Sequence, residues 1–526
     1  MSSSNPNHQN EEDAYINADE AEEVFHRDED QPMDSDGEDE GEGEGAGDQG
    51  MQEIEFQNDS AAHFDAHADS IFCIAQHPIH DNIVVTGSGD DSAYLFDSNP
   101  NADRPLLPAS YESNPQPRRE RDSLKPLVKM DGHSDSVNAV AFTEPRGEYA
   151  LTAGLDGRLR AWRDMTEKLE GTAWEFVAEV QEVEEINWLA VCPVNGGDGE
   201  EEEKVNLVAL GGNDGSAWVF RINHQDKTEP ISIVQSFFQH TAPCTAGAWT
   251  PDGNLLATVS EDSSFYVYDV FGAAAAAGIS YSGGTSAVVG MTAEDQRFAV
   301  DGGLYSVAIA PGGGFAAVGG AEGLIKIVGL PRLGAAGAGS GAGGSSKPKG
   351  RPATQTSAAT AGALLASLQC QTDGVETLSF SAPPLTLLAA GSVDGSIALF
   401  DTAHRFAVRR HIREAHEGAV VKVEFLQSRS SSAPSVRPSP LAPATTAHRS
   451  FLLTSVGIDG IVRRWDARGG TTAAGQGMLL EWKGHFGIAE NDEGEQSGGI
   501  MGFVQGFDGK RVVTAGDDGV ALVFEE

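Results

Sequence analysis

Cysteine is scarce in this chain: Cys73, Cys192, Cys244 and Cys370 are the only four in 526 residues. None stands in a C-x-x-C pair or has histidines at zinc spacing. That excludes a disulfide scaffold and a zinc module, and it points to buried, reduced thiols in a cytosolic or nuclear protein. No apolar run approaches the roughly 20 residues needed to cross a bilayer, and the polar, acidic start is not a signal peptide. Basic residues are outnumbered, 35 Lys and Arg against 79 Asp and Glu, for a net charge of -44. Such a chain is poorly matched to phosphate backbones or anionic lipid, so neither DNA nor a membrane is expected as a partner. Basic proteins are the partners this charge favours. No GxGxxG opens a helix and no GxxxxGK occurs, so no nucleotide cofactor is expected. His63, His67, His77 and His80 cluster in sequence, but outer strands and loops account for them better than a metal site, and no metal is expected.

Glycine, by contrast, is plentiful, 63 residues, and 40 % of the chain is hydrophobic, enough for a sizeable core. Residues 1–52 read as a disordered acidic tail. The first fifty hold eighteen Asp and Glu against the single Arg27, too little apolar surface to offset the ordering entropy. One patterned stretch, Asp13 to Phe25, interrupts it.

From about residue 53 to 526 the chain repeats itself. The clearest unit, Gly132 to Arg163, holds a Gly-His, alternating Val137, Ala139 and Ala141, a turn, a second apolar run, Asp156-Gly157, and a third run ending in Trp162. Alternation broken by Asp-Gly is the mark of antiparallel strands in tight hairpins. The turn recurs at Asp90, Asp156, Asp214, Asp262, Glu322, Asp394, Asp459 and Asp518. Six residues on stand Phe96, Trp162, Phe220, Tyr268, Val328, Phe400, Trp465 and Phe524. Repeats of this kind run about 40–45 residues and form four-stranded blades. The expectation is therefore an all-β, eight-bladed WD-repeat β-propeller. Flexible insertions are expected near 272–290, 334–363 and 428–448, with an acidic run at Glu200 to Glu203. Glu526 directly follows the third strand of the last blade, so a segment within Ile54 to Phe64 is expected to supply the fourth and close the ring.

His133, Thr152, Asp156 and Trp162 match the structural tetrad of such repeats, as do His416, Ser455, Asp459 and Trp465. Ser/Thr-His-Asp sets suggest nucleophilic catalysis elsewhere, but the repeat explains both copies, so no catalytic residue and no enzyme is expected. The basic stretches Arg118 to Arg121 and Lys347 to Pro352 read as solvated loops, with a targeting role as the alternative. The positions that reach the top rim lie three and five residues after the Gly-His histidine and just before the turn Asp. Here they are Phe72, Ser136, Asn138, Leu155, Glu185, Asn187, Asn213, Glu261, Tyr305, Glu376, Met501 and Asp517. Four are acidic, two are aromatic and none is Lys or Arg. Such a rim suits a basic peptide with apolar contacts.

Three segments go beyond the generic repeat: Gly457 to Gly470 (GIDGIVRRWDARGG), Gly211 to Ile222 (GGNDGSAWVFRI) and Val375 to Asp401. Together with the acidic tail they resemble the angio-associated migratory cell protein family, in its fungal branch, over roughly residues 54 to 526. The resemblance implies a dedicated chaperone of one large-subunit ribosomal protein. Such a protein captures the basic N-terminal segment of its client, also on the nascent chain, and holds it until it joins the pre-60S subunit in the cytoplasm. It also implies client contacts at Glu185, Glu261, Glu376 and Asp517, and a monomer; nuclear residence stays open. The alternative is a general WD-repeat scaffold in a multi-subunit complex. Blade five departs from the pattern, with Val300 for the histidine and Glu322 for the turn Asp. Blade eight carries an insertion, Ile488 to Gly498.

Overall fold

The computed structural model describes residues 57–100, 122–166, 170–194, 202–280, 286–333, 361–427, 450–469, 477–487, 489–490 and 496–526. The acidic tail, both basic loops, all of the 428–448 stretch and most of the 334–363 stretch lie outside these.

Eight four-stranded antiparallel sheets follow one another. In seven of them the chain runs from the innermost strand outward; in the last blade the outermost strand comes from the N-terminal segment. The second strands are buried at every residue, as in Tyr149–Gly154 and Leu387–Ser392, or at all but the first, as in Phe315–Gly320, Leu452–Gly457 and Arg511–Gly516, because neighbouring blades cover both their faces. That explains their small and β-branched composition. The fit between blades is close. A Cβ at Gly391 would lie 2.7 Å from Val420 of the next blade.

The eight innermost strands are Ile71–Gln76, Val137–Phe142, Ile186–Val191, Cys244–Trp249, Leu304–Ile309, Val375–Phe380, Val420–Phe425 and Ile500–Gln505. Each contacts the next and the last contacts the first, so the ring is closed. Closure is completed by Ala62–Phe64, which pairs with Ala521–Glu525 as the outer strand of blade eight. This strand lies in the stretch that the sequence points to. Phe64, fully buried, stacks on Phe96 of blade one at 4.2 Å, so the N-terminal strand ties the last blade to the first.

The tight turns need a left-handed residue after the acid. Gly157 supplies it at φ 72°, and a Cβ there would sit 2.1 Å from the Val183 carbonyl oxygen. Asp91 and Ser263 take the same conformation at φ 60° and 62° without being glycine, so the Asp-Gly pair is a preference of this turn, not a requirement. All eight residues six places after the turn are buried.

One expectation is corrected. The stretch 272–290 is not wholly a flexible insertion: it contains the short helix Ala273–Ala276 and most of Ala287–Met291, the outer strand of blade four. Asp269 accepts from the backbone N–H of Ala274 and Ala275 at 2.9 and 3.1 Å, and Ala274, Val288 and Val289 join a buried cluster. Within the alanine run only Ala274 is buried, and Ala275 to Ala277 are exposed. The insertion of blade eight carries a two-stranded hairpin, Ala489–Glu490 with Gln496–Ser497.

Candidate functional site: the acidic top face

Each innermost strand carries the same defect. Its pairing to the second strand shifts register at its second residue, in all eight blades. The bulged residues are Phe72, Asn138, Asn187, Thr245, Tyr305, Glu376, Val421 and Met501. A bulge leaves one residue out of the ladder and re-aims its side chain, here at the end of the strand beside the tight turns. Phe72, Asn138, Asn187, Tyr305 and Glu376 match the offset of five residues from the histidine position, and Met501 matches it once the blade-eight insertion is left out. Thr245 and Val421 were missed, although the same offset reaches them.

The residue before each turn acid is held at the same rim. Its N–H donates to the backbone just ahead of the innermost strand: Leu155 to Ser136 at 2.9 Å, Asn213 to Glu185 at 3.1 Å, Glu261 to Pro243 at 3.2 Å and Asp517 to Gly499 at 3.0 Å. Glu261, Glu376 and Asn213 are exposed, while Phe72, Glu185, Tyr305, Met501 and Asp517 are half-buried.

Not all of these are free to bind. Asn138 donates its amide to the carbonyls of Ile186 and Asn187, both at 3.2 Å, and Asn187 donates to Cys244 O at 3.1 Å. Their side chains staple blades two, three and four together.

Glu261, Tyr305 and Glu376, by contrast, form one cluster across blades four to six, joined by Asp373. Burial raises the Tyr305 phenol above its ordinary pKa, and the charges of Glu261, Glu376 and Asp373 add to the shift. Desolvation, and then the charge of Asp373, push the Glu376 carboxyl up as well. Carboxylates held this close gain when a cation arrives. The Tyr305 hydroxyl donates to Gly302 O at 2.5 Å, which fixes the ring among them. Glu185 lies two blades away from Tyr305.

Asp69, Asp135 and Asp373 extend the acidic rim and were missed in the sequence. Each stands two residues after the histidine position and accepts from the next backbone N–H, at 2.8, 2.7 and 2.7 Å. All three are exposed. Asp69 and Phe72 both crowd Gly89, so acid and aromatic adjoin on blade one too. Lys422 is the one cation in the eight innermost strands, and it is tied down by Phe503 O at 2.9 Å and Glu424 at 3.1 Å.

The tetrads lie beneath this face. In blade seven, His416 Nδ1 meets Asp459 at 2.9 Å, its Nε2 meets Ser455 Oγ at 2.8 Å, and Trp465 donates to the same hydroxyl at 2.8 Å. Ser455 is fully buried and doubly engaged, which leaves it no nucleophilic role. In blade two, His133 meets Asp156 at 3.0 Å and Thr152 at 2.9 Å, but the buried Trp162 indole N–H finds no partner among the described residues. The fourth link expected there is not made. Trp162 packs edge-on against Phe176 instead, with ring centroids 5.3 Å apart.

Three further chains were not singled out in the sequence: His67–Thr86, His240–Thr258 and His485–Thr514, at 2.9, 2.7 and 2.6 Å. In blade six Gln371 replaces the histidine and donates to Ser396 O at 3.0 Å.

Desolvation lowers the pKa of His67, His133 and His416, so these rings are neutral in the fold. Unfolded histidine titrates near 6.5. As pH falls below that value the unfolded chain takes up protons that the folded rings refuse, and stability falls. The urea midpoint is expected to drop from pH 7.5 to pH 5.5. His416→Gln, the exchange nature makes at Gln371, should flatten that drop. An identical pH profile in the variant would refute the assignment.

Among the described residues no group of His, Cys, Asp or Glu is arranged to hold a metal, and no helix is long and apolar enough to cross a membrane.

Fold and rim together define a WD-repeat propeller with an acidic, aromatic-studded binding face. The WD domain, G-beta repeat family model matches residues 58–97, 124–163, 231–269 and 362–401. The crystal structure of Chaetomium thermophilum Sqt1 bound to the N-terminus of the ribosomal protein L10 is 46 % identical and superposes with a TM-score of 0.70, covering 89 % of this chain and all of that one. The ribosome assembly protein SQT1 of Saccharomyces cerevisiae is 30 % identical over 229 residues, 43 % of this chain and 44 % of that protein. Human angio-associated migratory cell protein is 24 % identical over 471 residues, 90 % of this chain and 81 % of that protein. The chain belongs to the Sqt1 family.

Proposed function

We propose that this protein is a dedicated chaperone that binds the basic N-terminal segment of the large-subunit ribosomal protein L10 on its acidic top face and delivers it to the pre-60S subunit. The observation that carries this reading is the cluster of Glu261, Asp373 and Glu376 around Tyr305, with Tyr305 and Glu376 on bulges that re-aim their side chains. It is supported by the likeness, at 46 % identity, to a propeller crystallised with that segment. An unfolded basic segment would exchange water and counterions for carboxylates already crowded together, and its apolar groups would find Tyr305 and Phe72. Release follows if ribosomal RNA competes for the same basic residues. The work is done in the cytoplasm, by a monomer.

Tagged full-length protein recovered from cells and analysed by mass spectrometry tests the proposal. One dominant basic ribosomal protein, lost with Glu185→Lys/Glu376→Lys while the fold is kept, is the expected result. A spread of partners unaffected by the reversal would leave a scaffold that binds elsewhere.

A further inference from the structure

Among the described residues the acidity of this chain has one sharp exception. The outer strand of blade six, Ala407–Ile412, and its flanks read Arg405-Phe-Ala-Val-Arg409-Arg410-His-Ile-Arg413. Four arginines fall within nine residues, without a lysine. Arg405, Arg409 and Arg413 are exposed, and none has an ion pair with a described residue. Arg410 reaches across to blade seven and donates to Asp466 O at 3.2 Å.

Neighbouring carboxylates are already engaged. Asp401 pairs with His404 at 2.9 Å, Asp466 with Arg468 at 2.6 Å and Glu481 with Arg463 at 2.9 Å. Glu414, exposed beside Arg413, subtracts one charge and leaves the strip positive. At its foot lies a shallow pocket of about 160 Å³ lined by Arg409, Arg468, Thr386 and Asp401, whose carboxylate is taken up by His404 at 2.9 Å and by the Thr386 hydroxyl at 3.2 Å. Arg468 is held flat over Phe451, 4.5 Å from the ring centroid.

We propose that this strip and the pocket at its foot form a track for the phosphate backbone of an RNA. Guanidinium groups present planar pairs of donors that match phosphate oxygens. From Ala407 to Ile412 the strand rises roughly 17 Å, with Arg405 and Arg413 flanking its two ends. A periodic polyanion supplies an anion at each step of that length; a phosphopeptide concentrates its charge at one or two points. The net charge of -44 does not forbid this, because charges more than about 10 Å away are largely screened at 0.1 M salt. The track stands on the outer side of the ring, so RNA and a basic segment on the top face can be held at once.

The test uses the full-length protein and a fluorescein-labelled twenty-nucleotide oligouridine, followed by anisotropy between 50 and 200 mM salt. Arg405→Glu/Arg409→Glu/Arg413→Glu is expected to weaken binding at least tenfold at 50 mM salt. It should also reduce the slope of log K against log salt by about 2, at about 0.7 for each phosphate that is no longer neutralised. Arg146→Glu/Arg332→Glu/Lys510→Glu changes net charge equally at other exposed sites and should bind as wild type does. Unchanged binding of a basic client peptide by the first variant would show that its fold and top face are intact. Three results would overturn the proposal: no RNA binding at 50 mM salt, equal weakening in both variants, or a doubly phosphorylated peptide bound as tightly as the RNA.

Discussion

Glu261→Lys/Glu376→Lys is expected to weaken binding of a basic N-terminal peptide of L10 at least a hundredfold, about 3 kcal/mol, with no change in fold. Both side chains are exposed, and neither makes a hydrogen bond or ion pair among those that hold the described residues together. Reversal therefore leaves no buried group orphaned. It replaces two attractive charges beside Tyr305 with two repulsive ones. The effect should shrink as salt rises, because screening acts on the attraction and the repulsion alike. Glu376→Gln, which removes charge while keeping shape, should lose less than Glu376→Lys. Isothermal titration of the two variants at 50 and 300 mM salt reads this. Equal affinity for wild type and double variant at the lower salt would remove blades four to six from the site.

The second large effect is on stability. Asp459→Ala is expected to cost about 3–5 kcal/mol, because it removes one partner of a buried charged network. The Asp459 side chain is 3 % exposed. It accepts from His416 and from the Arg463 guanidinium, both at 2.9 Å, and from the Ile461 N–H at 3.2 Å. Burial alone would raise its pKa, but the hydrogen bond from His416 and the charge of Arg463 outweigh burial and hold it below the ordinary value. Asp214 in blade three is the control. It is exposed and holds only Ser216, through the N–H at 2.9 Å and the hydroxyl at 2.6 Å. Asp214→Ala should cost about 1 kcal/mol. Urea unfolding of the two variants measures the difference, and similar losses would show that the blade-seven network is not what sets the cost.

The repeat was legible because its turn chemistry is local. An acid followed by a left-handed residue, with a large apolar residue six places on, is fixed by one hairpin and survives insertions of any length between blades. The closing strand was legible from where the last hairpin ends. Blades three and five show what local chemistry hides. Blade three has no histidine bonded to Asp214, and in blade five Val300 and Glu322 take the histidine and acid positions, yet both fold as four-stranded sheets. Packing of buried strands against both neighbours sets the blade, and the polar chain beneath the turn adds to it. The family model matches blade six, where Gln371 stands for the histidine, and passes over blades three, five, seven and eight, so its reach does not follow the polar chain.

At the rim, sequence offsets found the bulged positions but could not separate Asn138 and Asn187, spent on blade-to-blade bonds, from Tyr305 and Glu376. Which carbonyl an amide meets is decided by the next blade, some fifty residues away. Asp69, Asp135 and Asp373 were missed although their offset is constant. The arginine strip of blade six passed unnoticed because its charge is diluted in an acidic chain and becomes a surface only when one strand displays it.

The central claim is that the basic segment is held by the bulged rim of blades four to six. Hydrogen exchange of the full-length protein, with and without a saturating synthetic peptide of the L10 N-terminus, tests it most directly. Added protection confined to residues 242–246, 301–306 and 372–377, and absent from the outer strands, is the predicted result. Protection on the outer or lower faces, with those three segments unchanged, would contradict it.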